Sequence, residues 1–398
     1  MTRIAYAASL ALSAAILVST APPANAETYS VLFSFHNQPI SEPQGRIFIH
    51  GSLFGTGSGC PGLGYGCYGD GQVFELTKSN GTWNSTAILK FDITNGGNPF
   101  GGLISDASGA LYGTAQDGDA HSDGNVFKLT KSGNSWAHST LYAFSGEGVD
   151  GRLPACDLVM DSTGNIYGTT ANGGGPADAG TAFELSLVNG KWTETILHAF
   201  TGGVDGVEPY AGLLRDNSSA LYGTTSGGGT SNNGTVFELK KSNGVWTKTV
   251  PYTFTGGNDG GYPLGILIED SSGNLYGTTY GSGVYGYGTV FELSQSGGVW
   301  TEQTLYGFTG GADGGEPSGG LHWDGNYNTL VGTTQDGTVF KLSKSGGVWN
   351  ESTLHTFGSG KDGLEPAGQI VRDSHGNLYG TTVRGGTYGN GTVWEITP

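Results

Sequence analysis

Short apolar segments, separated by turns rich in Gly, Asn and Ser, recur along the whole chain. The clearest example is residues 209–254, where four such segments are rich in Val, Leu, Tyr, Phe, Trp and Thr. Runs of about five β-branched and aromatic residues predict short strands. The pair Asn243-Gly244 before the last segment is a strong hairpin signal, so antiparallel pairing is expected.

The spacing of the repeats predicts the fold. A glycine in a Tyr-Gly-Thr-like phrase marks every repeat, and successive marks lie 48 to 58 residues apart. Each unit contains strand A after a proline, strand B with LYGTT, strand C with GTVFEL, and strand D from a Trp to a Phe. Four strands in a repeat of about 50 residues are typical of a β-propeller blade. The predicted blades are residues 43–91, 99–144, 154–200, 209–254, 263–308, 317–357 and 366–398.

The two ends of the chain complement each other. The seventh unit stops after its strand C, whereas residues 29–35 match the strand D of residues 194–200. We therefore predict that residues 27–35 complete the last blade and close an all-β, seven-bladed propeller that forms one domain over residues 27–398. The alternative, an open stack of strands, would leave unpaired edges.

Loop lengths vary mainly on one side of this fold. From the repeat glycine to the strand C aromatic, the distance ranges from 8 residues (Gly332 to Phe340) to 19 residues (Gly55 to Phe74). In a propeller, the B–C and D–A connections emerge on the same face, here called the loop-rich face. Binding residues commonly lie in variable loops carried by a rigid scaffold, so function is expected there.

Composition and charge restrict the possible partners. Asp and Glu outnumber Lys and Arg by 34 to 17, and a net charge of −17 argues against a nucleic acid or an anionic membrane. Residues 1–26 have the pattern of a signal peptide, with Arg3, an apolar segment over residues 4–20 and Ala24-Asn25-Ala26 as the cleavage site. We expect an extracytoplasmic monomer, secreted or periplasmic, without a membrane span after signal removal and without a C-terminal anchor. Export permits a disulfide between Cys60 and Cys67, whereas Cys156 is expected to be a small buried thiol.

The repeated phrases resemble the GloVer tandem repeat. FTGGVDGVEP at residues 200–209 and GNLYGTTYGSGVYGYGTVFEL at residues 273–293 carry the resemblance, which extends over essentially the whole mature chain. It implies a relationship to exported bacterial proteins that have various C-terminal anchors. It implies no established enzymatic activity and supplies no catalytic residues.

Two sets of acidic residues are candidate ligands. The D–A loops carry a repeated aspartate that could form a ring binding cations or sugar hydroxyls; the alternative is that each one caps its own turn. These residues are Asp150, Asp205, Asp259, Asp313 and Asp362. In the B–C loop of blade 2, Asp117, Asp119 and Asp123 could supply oxygen ligands to Ca²⁺, although the loop fails the EF-hand pattern and could simply be a solvated acidic loop.

A third candidate lies on strand A, which lines the propeller axis. At the third residue after the strand A proline, Arg46, Asp157 and Gln369 are polar where most other blades have Gly. Such groups converging on a channel could form a binding or active site, or only a channel-lining salt bridge. The strand D tryptophans are interpreted as packing residues, and His322 beside Trp323 is a local oddity.

These features favour a non-catalytic binding or surface-interaction module that holds a glycan, peptide or protein ligand on its loop-rich face. The alternative is an extracytoplasmic hydrolase, lactonase or lyase that acts on carbohydrate at the channel mouth. The sequence contains no G-x-S-x-G, P-loop or H-E-x-x-H motif and does not name a ligand.

Overall fold

The computed structural model describes residues 27–36, 43–59, 71–358 and 360–398. In these ranges the chain forms seven sheets of four antiparallel strands, each of them one blade of a propeller. The predicted all-β class, blade number and strand order are confirmed. The predicted signal peptide and the Cys60–Cys67 pair lie outside the described residues. Cys156 is free and buried, as predicted.

Each blade runs from strand A at the axis to strand D at the periphery. The A strands are Phe48–Ile49, Ile104–Ser105, Val159–Met160, Leu214–Arg215, Ile268–Glu269, His322–Trp323 and Leu364–Arg372. The B strands are Leu53–Ser58, Leu111–Ala115, Ile166–Thr170, Leu221–Thr225, Leu275–Thr279, Thr329–Thr334 and Leu378–Arg384. The C strands are Gly71–Ser79, Asn125–Ser132, Thr181–Val188, Thr235–Ser242, Thr289–Ser296, Thr338–Ser345 and Thr392–Thr397.

The D strands of the first six blades are Thr82–Lys90, Ser135–Ala143, Lys191–Ala199, Val245–Thr253, Val299–Gly307 and Val348–Thr356. In blade 7 this position is taken by Thr28–Ser34, which pairs antiparallel with Thr392–Thr397. The N-terminal strand therefore closes the ring as predicted. Two small elements complete the described fold: a pairing of Gly151–Arg152 with Asn172–Gly173, and a 3-10 helix over Gly203–Asp205.

The repeat glycine leaves space for an aromatic ring of strand C. Gly223 faces Phe237 across the B–C strand pair, and a Cβ added to it would lie 2.5 Å from the ring. The equivalent contact recurs in all seven blades, and in the last blade Gly380 faces Trp394. Because such contacts are too short for a real side chain, only Gly leaves room for the strand C ring against strand B.

Aromatic pairs then join each blade to the next. The Phe that ends strand D packs edge-on against the strand C ring of the following blade, as Phe200 does with Phe237 at 5.1 Å. Phe35, which follows the N-terminal strand, makes this contact with Phe74 of blade 1 at 5.0 Å. These edge-to-face pairs each contribute about 1 kcal/mol beyond the area they bury. The core is therefore a closed ring of interfaces between blades.

Threonine hydroxyls hold the inner strands near the axis. Thr56, Thr114 and Thr169, each directly after the repeat glycine, donate to main-chain carbonyls of the following blade at 2.9–3.0 Å. These three buried hydroxyls are therefore satisfied between the blades, whereas the equivalent hydroxyls of Thr224 and Thr333 are buried without a hydrogen-bond partner among the described residues. No helix of the described chain is long and apolar enough to cross a membrane.

Candidate functional site

The three polar axis residues come together although they belong to three different blades. Arg46 Nη1 donates to Gln369 Oε1 at 3.0 Å, and its Nε lies 3.6 Å from Asp157 Oδ2. Blade 2, between Arg46 and Asp157, contributes the amide of Gly102, which donates to the Asp157 carboxylate. A Cβ at Gly102 would lie 3.0 Å from the Cβ of Arg46, so a side chain there would crowd the pair.

This axis cluster satisfies most of its own polar groups. Gln369 is buried and its Nε2 donates to the carbonyl of Leu321 at 2.5 Å. The Arg46 side chain is 26% exposed and keeps some contact with solvent. The arrangement is the channel-lining salt bridge that the sequence allowed as an alternative, and a ligand-binding role for the cluster stays a prediction.

Most of the D–A aspartates are held by their own turns. Asp259 accepts hydrogen bonds from the amide of Thr255 at 2.7 Å and from the hydroxyl of Tyr252 at 3.0 Å. Asp313 repeats both contacts, with the amide of Thr309 at 2.9 Å and a strand D tyrosine. The other three make the following contacts: Asp150 with Ser145, Asp205 with Thr201 and His198, and Asp362 with His355. Turn capping is therefore shown for all of them except Asp362, which contacts a strand D histidine, and the role of all five as a ligand-binding ring stays a prediction.

All of these aspartates except Asp362 also belong to a group at the interface with the next blade, which we call an interblade triad. It consists of a strand D Tyr or His, the D–A aspartate, and the residue two places after the Trp of the following strand D. Between blades 3 and 4 the third member is Lys248, whose Nζ lies 2.7 Å from Asp205 Oδ1. Between blades 2 and 3 it is Glu194, which accepts from the Tyr142 hydroxyl at 3.1 Å.

The acidic triads place two carboxyl groups close together. Burial, reinforced by the negative charge of Asp150, raises the pKa of Glu194 to about 8. The same causes, with Asp259 and Asp313 as the neighbouring charges, raise the pKa values of Glu302 and Glu351. By contrast, the ammonium of Lys248 helps to hold the pKa of Asp205 down, at about 2, against the effect of burial. One position thus carries opposite charges at different blade interfaces.

The three aspartates of the blade 2 loop have separate partners. Asp117 accepts from Asn98 Nδ2 at 2.5 Å, while Asp119 accepts from Asn125 Nδ2 and from the hydroxyl of Thr140. Burial raises the pKa of Asp123. Among the described residues, no three His, Cys, Asp or Glu side chains are arranged to hold a metal ion. Calcium binding by Asp117, Asp119 and Asp123 stays a prediction.

The loop-rich face carries most of the exposed large apolar side chains. Seventeen of these occur in the described chain, and ten of them lie in the B–C and D–A connections or at the start of strand A. The ten are Ile93, Val149, Val204, Tyr210, Tyr262, Val284, Tyr285, Tyr287, Leu364 and Tyr388. An apolar surface of this kind on a folded domain commonly marks an interaction site.

The densest group is the B–C loop of blade 5, residues 280–287, which we call the tyrosine loop. Its sequence is YGSGVYGY, and Tyr285 is 59% exposed. The Tyr280 hydroxyl donates to Glu316 Oε2 at 2.7 Å, which ties the loop to blade 6. Both Tyr287 and Asp336 lie against Gly315, so aromatic rings and carboxylates share one surface.

Charge is distributed unevenly around the ring. Between Lys248 and Lys341 the sequence contains neither Lys nor Arg, and this stretch comprises most of blades 5 and 6. It contains nine acidic residues: Asp259, Glu269, Asp270, Glu292, Glu302, Asp313, Glu316, Asp324 and Asp336. The tyrosine loop is thus set in the part of the chain that lacks cations.

A family model confirms what the repeated phrases suggested. The Gloeobacter/Verrucomicrobia repeat matches residues 17–177 and 156–394, which together cover nearly all of the propeller. The chain belongs to this family. The match to the Gloeobacter/Verrucomicrobia repeat includes residues of every blade.

Solved structures similar to this member of the Gloeobacter/Verrucomicrobia repeat family share its fold at low sequence identity. A candidate 6-phosphogluconolactonase from Bacteroides uniformis ATCC 8492 is 15% identical, with a TM-score of 0.51 over 79% of this chain and 85% of that one. Another candidate 6-phosphogluconolactonase, from Bacteroides fragilis NCTC 9343, is 16% identical, with a TM-score of 0.51 over 79% and 84%. No curated protein is similar in sequence to this chain. At such identities the likeness shows the propeller fold alone.

Proposed function

We propose that this protein is an exported binding module whose loop-rich face holds a basic peptide segment of a partner protein. The observation that carries the proposal is the tyrosine loop. In this loop Tyr280 bonds Glu316, Tyr287 lies beside Asp336 at Gly315, and Tyr285 is exposed, all in a stretch without Lys or Arg. The signal-peptide pattern of residues 1–26 supports the extracytoplasmic location.

Tyrosines on glycine-rich loops suit protein recognition. Each offers a large, amphipathic surface and loses little conformational freedom on binding, since only two side-chain torsions are fixed. Its ring face also attracts Lys and Arg, by about 0.5–1 kcal/mol at an exposed site. The tyrosine loop thus presents several such rings at one blade interface.

The carboxylates beside these rings favour a cationic partner. Burial, followed by the negative charge of Glu316, raises the pKa of Asp336, so the two acids repel each other in the free protein. A Lys or Arg placed between them would relieve this repulsion and would pack on the neighbouring rings. Complementary charge of this kind also speeds association at low ionic strength.

The test is fluorescence anisotropy with a labelled dodecapeptide of alternating Lys and Ser, titrated at low and at physiological salt. We expect Tyr285→Ser and Glu316→Gln each to weaken binding by roughly twofold to fivefold, as the loss of one ring or one charge implies. Tyr388→Ser is the matched control, because Tyr388 is 53% exposed in the B–C loop of blade 7. Equal affinities for all variants, or binding of a neutral glycan on an array instead of the peptide, would overturn the proposal.

A second candidate is an enzyme with its site at the axis mouth, and His322 favours it. Burial and the positive charges of Arg46 and Arg372 lower the pKa of His322, which therefore provides a neutral imidazole near two cations. Such a group can accept a proton from water during hydrolysis. Because two structural neighbours are named as candidate lactonases, sugar lactones are the first substrates to test. Ring opening that disappears in His322→Leu would favour the enzyme over the binding module.

A further inference from the structure

Blade 6 departs from the other blades at the end of strand A, on the face opposite the loop-rich face. The fifth residue after the strand A proline is His322 there, and it is apolar in every other blade. The apolar equivalents are Phe48, Ile104, Val159, Leu214, Ile268 and Val371. The next residue is Trp323, whose Nε1 donates to the Glu269 carbonyl of blade 5 at 3.2 Å.

The A–B turn of blade 6 is also built differently. In five other blades, the turn aspartate accepts a bond from the amide four residues later, as Asp161 does from Asn165 at 3.0 Å. The others are Asp106, Asp216, Asp270 and Asp373. In blade 6, Asp324 instead accepts from Arg372 Nε at 3.0 Å and lies 2.9 Å from Lys341 Nζ.

A tyrosine is lost at the same place. In four blades the LYGT tyrosine donates to the turn aspartate, as Tyr167 does to Asp161 at 3.1 Å. The other three pairs are Tyr112–Asp106, Tyr276–Asp270 and Tyr379–Asp373. Blade 6 has Val331 at this position. Blade 6 therefore lacks two frame contacts at one point and has the ion pairs of Asp324 with Arg372 and Lys341 in their place.

These changes line a cleft of about 350 Å³ between blades 6 and 7. Its walls are His322, Trp323, Gly325, Asn326, Tyr327 and Arg372. The Trp323 and Tyr327 rings meet edge to face at 5.2 Å, and Tyr327 is 49% exposed. The volume lies at the lower end of the range of roughly 300–1,000 Å³ for small-molecule sites, which suits a ligand of one sugar unit.

The wall of the cleft contains one charged residue, Arg372, in a strongly negative protein. Arg372 pairs with Asp324, which also pairs with Lys341. Lys341 in turn pairs with Glu27. Asp324 accepts a hydrogen bond from Nε of Arg372. Nη2 of the same guanidinium lies close to two glycines: a Cβ added at Gly325 would be 3.7 Å from it, and a Cβ added at Gly376 would be 3.1 Å from it. The lowered pKa of His322, caused by burial, Arg46 and Arg372, leaves its imidazole neutral and able to bond a hydroxyl.

We propose that this cleft binds a carboxylate-bearing monosaccharide. The carboxylate pairs with the guanidinium of Arg372, since planar, multiple N–H donors match that group. The apolar face of the sugar packs on Trp323 and Tyr327, and the neutral His322 and Asn326 bond its hydroxyls. The cleft is on the face opposite the tyrosine loop, so this inference does not depend on the proposed function.

Isothermal titration of the full protein with glucuronate, glucose and glucose 6-phosphate tests the proposal. We expect glucuronate to bind at least about tenfold more tightly than glucose, as a charge-assisted hydrogen bond pair implies. Arg372→Gln should remove this preference. Arg215→Gln is the matched control, because Arg215 has the same position in blade 4 and donates to Ser219 at 2.6 Å.

His322→Leu provides a second variant that restores the residue type of the other blades. It should weaken glucuronate binding by several-fold while the melting temperature remains that of the wild type. Equal affinity for glucuronate and glucose, or an unchanged preference in Arg372→Gln, would overturn the proposal. Tighter binding of glucose 6-phosphate than of glucuronate would also contradict it, because the site would then select phosphate.

Discussion

Replacing Glu194 with Gln removes the half-buried acid of the interblade triad between blades 2 and 3, and we expect the variant to be more stable than the wild type at pH 8. Burial and Asp150 raise the pKa of Glu194 from its usual value of 4.5 to about 8 in the folded protein. The carboxyl group therefore binds its proton more tightly in the folded state than in the unfolded state. This contribution to stability is complete below pH 4.5 and is lost as the pH rises to about 8.

The magnitude follows from the two pKa values. Each tenfold change in proton affinity corresponds to about 1.4 kcal/mol, so the rise has an upper limit of roughly 5 kcal/mol. Glu194 is only half-buried, so solvent screens part of this effect, and we expect about 1–3 kcal/mol. Gln keeps the hydrogen bond with Tyr142 but has no charge to bury.

Urea unfolding at pH 5, 6.5 and 8 measures the effect. The free energy of unfolding of the wild type should fall over this range, and that of Glu194→Gln should fall less. Lys248→Gln is the matched control, because it places Gln at the equivalent position of the next interface and removes the cation that pairs with Asp205. It should destabilise the protein at pH 8. Parallel pH profiles for the wild type and Glu194→Gln would refute the reasoning.

Three further changes test the frame and the acidic loop. Gly223→Ala should destabilise the protein by about 1–3 kcal/mol because its Cβ would meet Phe237 at 2.5 Å, whereas Gly358→Ala, which has no neighbour within 4 Å, should be nearly neutral in thermal unfolding. Tyr29→Ala should cost about 3–5 kcal/mol, measured by urea unfolding, because it removes a partly buried ring from the strand that closes the propeller. If the blade 2 loop binds calcium, added Ca²⁺ should raise the melting temperature of the wild type and not that of Asp119→Asn; identical shifts, or none, would contradict the site.

The frame of the propeller could be predicted because each blade repeats the same physical requirement. The repeat glycine must be Gly to admit the ring of strand C, so its spacing marks every blade. The complementary ends of the chain predicted the closing strand, which pairs as expected. Local turn chemistry also predicted that aspartates such as Asp259 could cap their turns, which the structure shows.

The candidate sites were less predictable because they depend on contacts between blades. The sequence singled out Arg46, Asp157 and Gln369 as unusual polar residues. It did not show that Arg46 would contact both Asp157 and Gln369. The third members of the interblade triads were missed, although Glu194 and Lys248 occupy the same place after a Trp and differ in charge. This change of charge at one repeat position was the feature of the sequence that could have indicated the triads.

Loop length was an incomplete guide to function. The tyrosine loop has the same length as residues 226–233 of blade 4, so only its composition distinguishes it. The two loops also share positive φ at four equivalent positions, which are Gly228, Gly229, Asn232 and Gly234 in blade 4 and Ser282, Gly283, Gly286 and Gly288 in blade 5. The backbone conformation is therefore common to both, and the difference lies in the side chains.

This equivalence permits the most direct test of the binding proposal. Residues 280–287 are replaced by the blade 4 sequence SGGGTSNN, which keeps the loop length and the backbone pattern. Anisotropy with the labelled Lys-Ser peptide then compares this variant with the wild type at equal thermal stability. We expect at least about a tenfold loss of affinity, since several ring contacts disappear together. An exchanged protein that binds the peptide as tightly as the wild type would contradict it.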